Sequence, residues 1–555
     1  MVNSANANGT SLRKLPAVGI DFATIRNDNF VYVDKTKIIY DLARAKGAYF
    51  LARPPRFGKS LLISTLKELF SGDRALFKGL WIDSSDYPFE KYPVISLMMD
   101  VDCFGKGFLK YSLRDMMSDE AQKYGLEFSE DISAGAILKK LVERLSKEKN
   151  EGVVVLIDEY DNPINNAIDD LSLAKHNLKE LNNFYISLKT LMNTGKIYCL
   201  FVTGVTKIPS DSIFSAMDCL IDITMNHDYA EICGFTAGEF DKYFGAYQDN
   251  ILSRFKSKKW RPYIKTVDDL REEIFKWYGG FSFDGEEKIL SPHSINCFFY
   301  HKKFDNFWSA TETPTFLSEY ITRDAYNLAT IETQKFARSD LLNFTLDNIK
   351  LAPLLFQAGY LTIKKRAADG KYFLGEPNNE VKDSFQNFLF EFFKSELNLS
   401  VTDLKRDINN ALANYDSLAL ENAFKKIIAS VPRQSSFSYG RNCQGLIFLA
   451  LTITGFNAMA EVSETEGDLE LLTIVKSPPT VFIVKFNYER MEKTPGEKRE
   501  ETTKKLLEKG IIAAKTQIEK KRYADKYINE YPTVKKVAAS IVGKGDISVE
   551  IYDAF

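Results

Sequence analysis

The stretch from Phe50 to Leu62, Phe-Leu-Ala-Arg-Pro-Pro-Arg-Phe-Gly-Lys-Ser-Leu-Leu, limits the fold more than any other part of the chain. An apolar run breaks at a short Pro/Arg/Gly turn. Gly58-Lys59-Ser60 then opens a segment whose Leu61, Leu62, Leu66 and Leu69 recur with helical periodicity. The order is strand, phosphate loop, helix. Backbone N–H groups of such a turn, with the positive end of the helix dipole behind them, form an anion site. Lys59 is placed to reach the β- and γ-phosphates and the Ser60 hydroxyl to hold Mg²⁺. The full pattern asks for glycine where this chain has Arg53, so the surroundings must decide between a nucleotide loop and an ordinary strand-to-helix turn.

Two further strands supply that context. Gly152-Val-Val-Val-Leu-Ile-Asp-Glu-Tyr-Asp161 is an apolar run ending in adjacent carboxylates, the pattern of a buried parallel strand delivering acids to the carboxyl edge of a sheet. An ATP-hydrolysing site needs one carboxylate for the Mg²⁺ shell and another to orient or deprotonate the attacking water. Asp158 suits the first role and Glu159 the second. Ile197-Tyr-Cys-Leu-Phe-Val-Thr-Gly-Val205 is another buried strand, and Thr203 at its end is placed either to sense the γ-phosphate or to cap. Arg53 and Arg56 are the candidate catalytic arginines, with pairing to local acids as the alternative. Asp161 and Asn162 read as turn formers before Pro163. Strands alternating with helices predict a mostly parallel, three-layer α/β sheet.

Composition narrows the class. At 555 residues the chain exceeds one core, and about three or four domains are expected. A formal net charge of -2 excludes a global field steering the chain to nucleic acid or an anionic membrane. The six cysteines and four histidines are dispersed without zinc spacing. No signal peptide or membrane-spanning run is read, and the expected location is intracellular.

Along the chain, residues 1–12 are expected to be a disordered tail. Asn29-Phe-Val-Tyr-Val-Asp-Lys-Thr36 alternates like a strand and leads into a helix to about Ala45. A second apolar strand covers Tyr92–Val101, and two amphipathic helices cover Ser112–Lys149. The P-loop domain is expected over 13–235, and a mainly helical, aromatic-rich middle region over 236–432. A smaller α/β unit is expected over 433–555, with strands at Leu469–Ile474, Val481–Phe486 and Val537–Ile541. Its charged stretch Glu489–Glu508 reads as a solvated helix or loop.

Several words of the chain together resemble the AAA-ATPase-like proteins, in which a P-loop ATPase is joined to a C-terminal nuclease-like domain of the PD-(D/E)XK superfamily. They are Tyr32-Val-Asp-Lys-Thr36, Arg53-Pro-Pro-Arg-Phe-Gly-Lys-Ser60, Leu76-Phe-Lys-Gly-Leu80, Ile157-Asp-Glu-Tyr-Asp161, Thr203-Gly-Val-Thr206 and Ile213-Phe-Ser215. Cys233-Gly-Phe-Thr236, Trp277-Tyr-Gly-Gly-Phe281, Thr313-Pro-Thr-Phe316 and Gln357-Ala-Gly-Tyr-Leu-Thr362 extend the likeness, which runs from about Leu15 to Tyr552. The loop resembles the family's Arg-Pro-Arg-Arg-Phe-Gly-Lys-Ser, with Pro55 where an arginine is usual. Arg53 is thus the family form. The resemblance implies an ATP site at Lys59, Ser60, Asp158 and Glu159. Together with the reading of the residues, Arg53, Arg56, Gly58, Lys59, Ser60 and Leu61 are expected around the nucleotide, Ser60 and Asp158 on Mg²⁺, and Glu159, Lys59 and Thr203 in catalysis. It also implies a restriction-endonuclease-like fold for the C-terminal unit.

That unit departs from the pattern. A nuclease of this superfamily needs an Asp on one strand and Glu/Asp-x-Lys on the next, the acids holding metal and the lysine the attacking water. The first stretch here is Gly467-Asp-Leu-Glu470, so Glu470, or Asp468 in a shifted register, stands for the metal Asp. The second is Ile483-Val-Lys-Phe-Asn487, with Lys485 where the metal Glu belongs and Asn487 where the lysine belongs. Gln517 resembles the family's helix glutamine. A cation in place of a metal carboxylate predicts a retained fold and lost nuclease chemistry. A metal site rebuilt from Glu466, Asp468 and Glu470, and a phosphate contact by Lys485, are the alternatives. The function read from the chain is an ATP-binding protein and Mg²⁺-dependent ATPase. A nucleotide switch that hydrolyses little and an ATP-regulated nuclease are its rivals. A nucleic-acid or protein partner for the C-terminal unit, and an oligomer, are both left open.

Overall fold

The computed structural model describes residues 12–148, 152–207, 220–256, 263–308, 328–342, 345–346, 350–430, 439–462, 469–476, 479–491, 496–528, 531–543 and 545–553. The chain divides into two compact units, residues 1–311 with 336–382, and residues 312–335 with 383–555.

The first unit is built on five strands: β1 (Ala48–Ala52), β2 (Val94–Met98), β3 (Val153–Asp158), β4 (Ile197–Gly204) and β5 (Leu220–Asp222). Every pairing is parallel and the order is β2-β3-β4-β1-β5. This is an α/β architecture with an all-parallel sheet, consistent with a P-loop-like core. All positions of β1 and β3 are buried, as runs of apolar residues in the middle of a parallel sheet require. Helices α1 (Phe22–Asn27), α2 (Thr36–Arg44), α3 (Lys59–Phe70), α4 (Phe108–Gln122), α5 (Ala134–Glu148) and α6 (Leu171–Asn193) belong to the same unit.

The order of strands decides the site. β4 lies between β1 and β3, with Leu51 opposite Thr203 and Ile157 opposite Val202. The loop after β1 and the acids after β3 therefore face the same carboxyl edge with Thr203 between them. One expectation fails here: Asn29–Lys35 is not a strand. The segment runs alongside the core with Val31 N donating to Lys14 O (2.9 Å), and no sheet edge among the described residues receives it.

Three more helices, α7 (Ala237–Lys256), α8 (Val267–Tyr278) and α9 (Pro292–His301), share an aromatic core that includes Phe240, Phe244, Tyr278, Phe298 and Phe299. Phe244 stacks on Phe299 with ring centroids 5.4 Å apart. A hairpin of β6 (Thr362–Arg366) and β7 (Tyr372–Gly375) follows.

The second unit holds another five-stranded sheet of β8 (Asn457–Val462), β9 (Leu469–Lys476), β10 (Pro479–Glu489), β11 (Thr533–Val542) and β12 (Asp546–Asp553), ordered β12-β11-β10-β9-β8. Only β10 and β11 pair in parallel, with α10 (Gly496–Lys521) between them in the chain. The charged stretch expected as helix or loop enters α10 from Gly496 onward. No helix among the described residues is long and apolar enough to cross a membrane.

Candidate functional site

The loop between β1 and α3 turns through two left-handed residues, Arg56 (φ 63) and Gly58 (φ 96). At Gly58 a side chain would meet no atom within 4 Å, so the requirement for glycine is conformational and the space above it is open. No side chain caps α3, whose first N–H groups have no intrahelical acceptor. Ser60 is exposed at this end, whereas Lys59 is 5% exposed and donates through Nζ to Arg53 O (3.0 Å) and Pro54 O (3.1 Å). Burial lowers the Lys59 pKa, and Asp158, Asp161 and Glu159 oppose that shift. The lysine thus lies across the loop, within the field of the acids at the end of β3.

Asp158 is 1% exposed. Its Oδ1 accepts from Thr203 Oγ1 (2.5 Å) and from Glu159 N (3.0 Å), while Oδ2 is buried with no hydrogen-bond partner. Such an oxygen is costly unless a ligand or ion completes it. Among the described residues no group of three or more His, Cys, Asp and Glu side chains is gathered to hold a metal. Magnesium does not require one, because it binds through one or two carboxylates together with waters and substrate phosphates. Asp158 Oδ2 and the exposed Ser60 hydroxyl fit that demand.

Glu159 follows in a left-handed conformation (φ 53), half-buried, its pKa raised by burial and by Asp158 while Lys59 acts to lower it. Non-glycine residues in this region of φ/ψ space cluster at working sites. Thr203 holds Asp158 by the hydrogen bond above, which makes it a positioning residue in this geometry.

Arg53 does not face the loop's open side. Its guanidinium is 1% exposed, donates to Ala52 O (2.9 Å), Thr224 O (2.7 Å) and Tyr229 O (3.2 Å), and lies 4.2 Å over the Phe283 ring. Burial pulls its pKa down to about 10. Arg53 ties the end of β1 to the segment after β5, a structural role in place of the phosphate contact expected for it. Arg56 is half-buried and donates to His293 Nε2 (2.9 Å) on α9, whose ring is held neutral by burial and by Arg56 itself, its pKa pushed down to about 4.

Several supporting residues carried no clear signal in the sequence. Asp161, read as a turn former, accepts at Oδ2 from Thr206 N (2.6 Å), Thr206 Oγ1 (2.6 Å) and Asn165 Nδ2 (2.8 Å), tying the segment after β3 to that after β4. Gly204 packs against it: a Cβ there would lie 2.4 Å from Asp161 Oδ1 and 2.5 Å from the Tyr160 ring. The paired words Asp-Glu-Tyr-Asp and Thr-Gly-Val-Thr were the available clue. Phe57 is fully buried among Phe281 (centroids 4.8 Å), Phe283 (5.7 Å) and Trp308 (6.4 Å), so rings from much later in the chain fix the loop.

Trp308 is itself held by Glu380, whose Oε1 accepts from Phe307 N (2.8 Å) and Trp308 N (3.2 Å) and whose Oε2 accepts from Ser294 Oγ (2.7 Å). Glu380 is fully buried, and burial raises its pKa from 4.5 to about 7. The fold thus favours the protonated form. Its contribution is complete below about pH 4.5 and is lost as pH rises to about 7, on the order of 3 kcal/mol in all. Denaturant titrations between pH 5 and pH 8 should show that decline, and Glu380→Gln should flatten it.

In the second unit the positions expected from a nuclease are placed as follows. Lys485 on β10 is 2% exposed and pairs in register with Glu470 of β9 and Ala538 of β11. Asn487, two residues on and so on the same face, pairs with Ser540, and Gly510 of α10 approaches both. Gln517 lies on α10 with its Nε2 buried and unpartnered. Glu470 is described only as backbone in β9, and Glu466 and Asp468 lie outside the described residues.

Comparison with known proteins agrees with the first unit. Residues 17–214 match the family model described as "AAA-ATPase_like: Predicted AAA-ATPase", which identifies this segment as a predicted AAA-ATPase-like domain. Over most of its length the chain is similar to a protein of Azotobacter chroococcum mcd 1, named "Uncharacterized protein in vnfD 5'region". The two are 29% identical over 535 residues, 93% of this chain and 94% of that protein.

Proposed function

We propose that this chain is a Mg²⁺-dependent ATPase of P-loop type. The observation that carries the reading is Asp158: a buried carboxylate, fixed at Oδ1 by Thr203 and uncommitted at Oδ2, on a strand separated only by β4 from the strand that leads into an open phosphate loop. The N–H groups around Gly58 and the Lys59 ammonium bind the β- and γ-phosphates, Lys59 exchanging its two loop carbonyls for phosphate oxygens. Ser60 and Asp158 would hold Mg²⁺, which would supply charge neutralisation to the phosphates. Glu159 orients the attacking water and takes its proton, and a pKa raised by burial and by Asp158 makes it a stronger base. Thr203 keeps Asp158 in place.

For the second unit we propose a nuclease-like fold without nuclease chemistry. Lys485, buried on a central strand, puts positive charge where a metal carboxylate is needed, and this supports the reading.

Phosphate release with Mg²⁺ and ATP tests the first proposal. Glu159→Gln is expected to lower kcat by roughly 10²- to 10⁴-fold, with ATP affinity unchanged within about threefold. Unchanged turnover in that variant would favour a nucleotide switch over an ATPase, and a wild type without ATP affinity would end both readings.

A further inference from the structure

A cavity of about 90 Å³ opens beside the phosphate loop, bounded by Gly58, Leu61 and Leu62 on one side and by Tyr32, Cys233 and Asn296 on others. Its walls are chiefly aliphatic and aromatic. The polar side chains in them are already engaged. Lys35 pairs with Glu239 (2.5 Å), Thr65 Oγ1 donates to Leu61 O (2.7 Å), and Tyr32 Oη lies 3.5 Å from that same hydroxyl. Asn296 on α9 is the exception, since its Oδ1 is buried with no hydrogen-bond partner. A trapped water needs two to four polar partners, and the engaged neighbours leave few to offer.

The position of the cavity says what belongs in it. Gly58 and Leu61 flank the lysine and serine of the loop, so a molecule whose phosphates lie over the loop carries its other end along this wall. A flat, mostly apolar group with a hydrogen-bonding edge suits aliphatic walls and one carboxamide. We propose that this partly open cavity admits the amino-bearing edge of the nucleotide base and that Asn296 selects a 6-amino purine. Oδ1 accepts from the exocyclic amine while Nδ2 donates to the neighbouring ring nitrogen, the two-point match by which a carboxamide reads adenine. With N7 as that ring nitrogen, a 6-oxo purine sets an oxygen against Oδ1, and turning the carboxamide over sets Oδ1 against N7, so in either orientation a buried acceptor faces an acceptor. The inference deepens the ATPase reading and rests on it.

Competition titrations with ATP, inosine triphosphate and inorganic triphosphate, all with Mg²⁺, separate the two claims. Inosine triphosphate differs from ATP in carrying oxygen where ATP carries the amine. Wild-type protein should bind ATP about 10- to 100-fold more tightly than inosine triphosphate. Asn296→Ala should bring ATP close to the level of inosine triphosphate and leave inorganic triphosphate unchanged. If ATP and inosine triphosphate bind the wild type within about twofold of one another, base selection by Asn296 is overturned and the loop reading stands. Base selection is equally overturned if Asn296→Ala weakens all three ligands alike. If none of the three binds, the loop reading fails and takes this inference with it. The wild-type comparison needs no variant to fold.

Discussion

Lys59→Ala is expected to remove ATP turnover, with affinity falling roughly 10- to 100-fold and kcat by roughly a further 10²- to 10³-fold. Lys59 is a buried ammonium that bridges two carbonyls of its own loop while three acids at the end of β3 favour its charge. On the proposed reading a triphosphate offers it stronger, charged acceptors than these two carbonyls. Alanine also withdraws the cation that offsets Asp158. Isothermal titration with Mg²⁺ and ATP, beside phosphate release, gives both numbers. A variant that binds and hydrolyses ATP as the wild type does would refute the assignment of the loop.

Arg53→Ala is expected to destabilise the first unit by roughly 2–4 kcal/mol without a comparable change in ATP affinity at temperatures where the variant is folded. Truncation strands the carbonyls of Ala52, Thr224 and Tyr229 and empties a volume packed on Phe283. Relief of the desolvated charge offsets part of this, so Arg53→Met, which restores volume without charge, should cost less than alanine. Arg53→Lys should cost nearly as much as alanine, because an ammonium cannot span three carbonyls and lie flat on a ring. Chemical denaturation and nucleotide titration of the same variants distinguish this role from a phosphate contact, for which affinity would fall first.

Strands β1 to β4 of the central sheet were legible because they are runs of largely buried apolar residues, whereas the three-residue, partly exposed β5 offered no such run. Val153–Ile157 and Leu200–Val202 are continuous apolar runs with nothing to confuse their period. The loop was legible because Gly58-Lys59-Ser60 needs a particular backbone. Asn29–Lys35 misled because Phe30-Val-Tyr-Val33 is made of strand-forming residues, yet Val31, Tyr32 and Val33 are buried in succession on the core and strand-forming residues alone do not supply a hydrogen-bonded neighbour. The edge strands β8 and β12 were missed because their sequences mix polar and apolar residues, and in Asp546–Asp553 the burial is uneven as well. Arg53 could not be placed from sequence at all. A loop arginine looks the same whether it faces phosphate or three carbonyls, and only the fold brings Thr224 and Tyr229 to it.

The ring of Phe57 is held by residues that the ribosome adds more than two hundred positions after it. Segment 17–214 therefore contains every residue proposed to touch the phosphates, yet lacks Phe281, Phe283 and Trp308, which fix the shape of the turn they sit on. During synthesis the loop emerges early and waits. A chain ending at residue 214 would keep the sequence of the loop and lose the three rings that pack on Phe57.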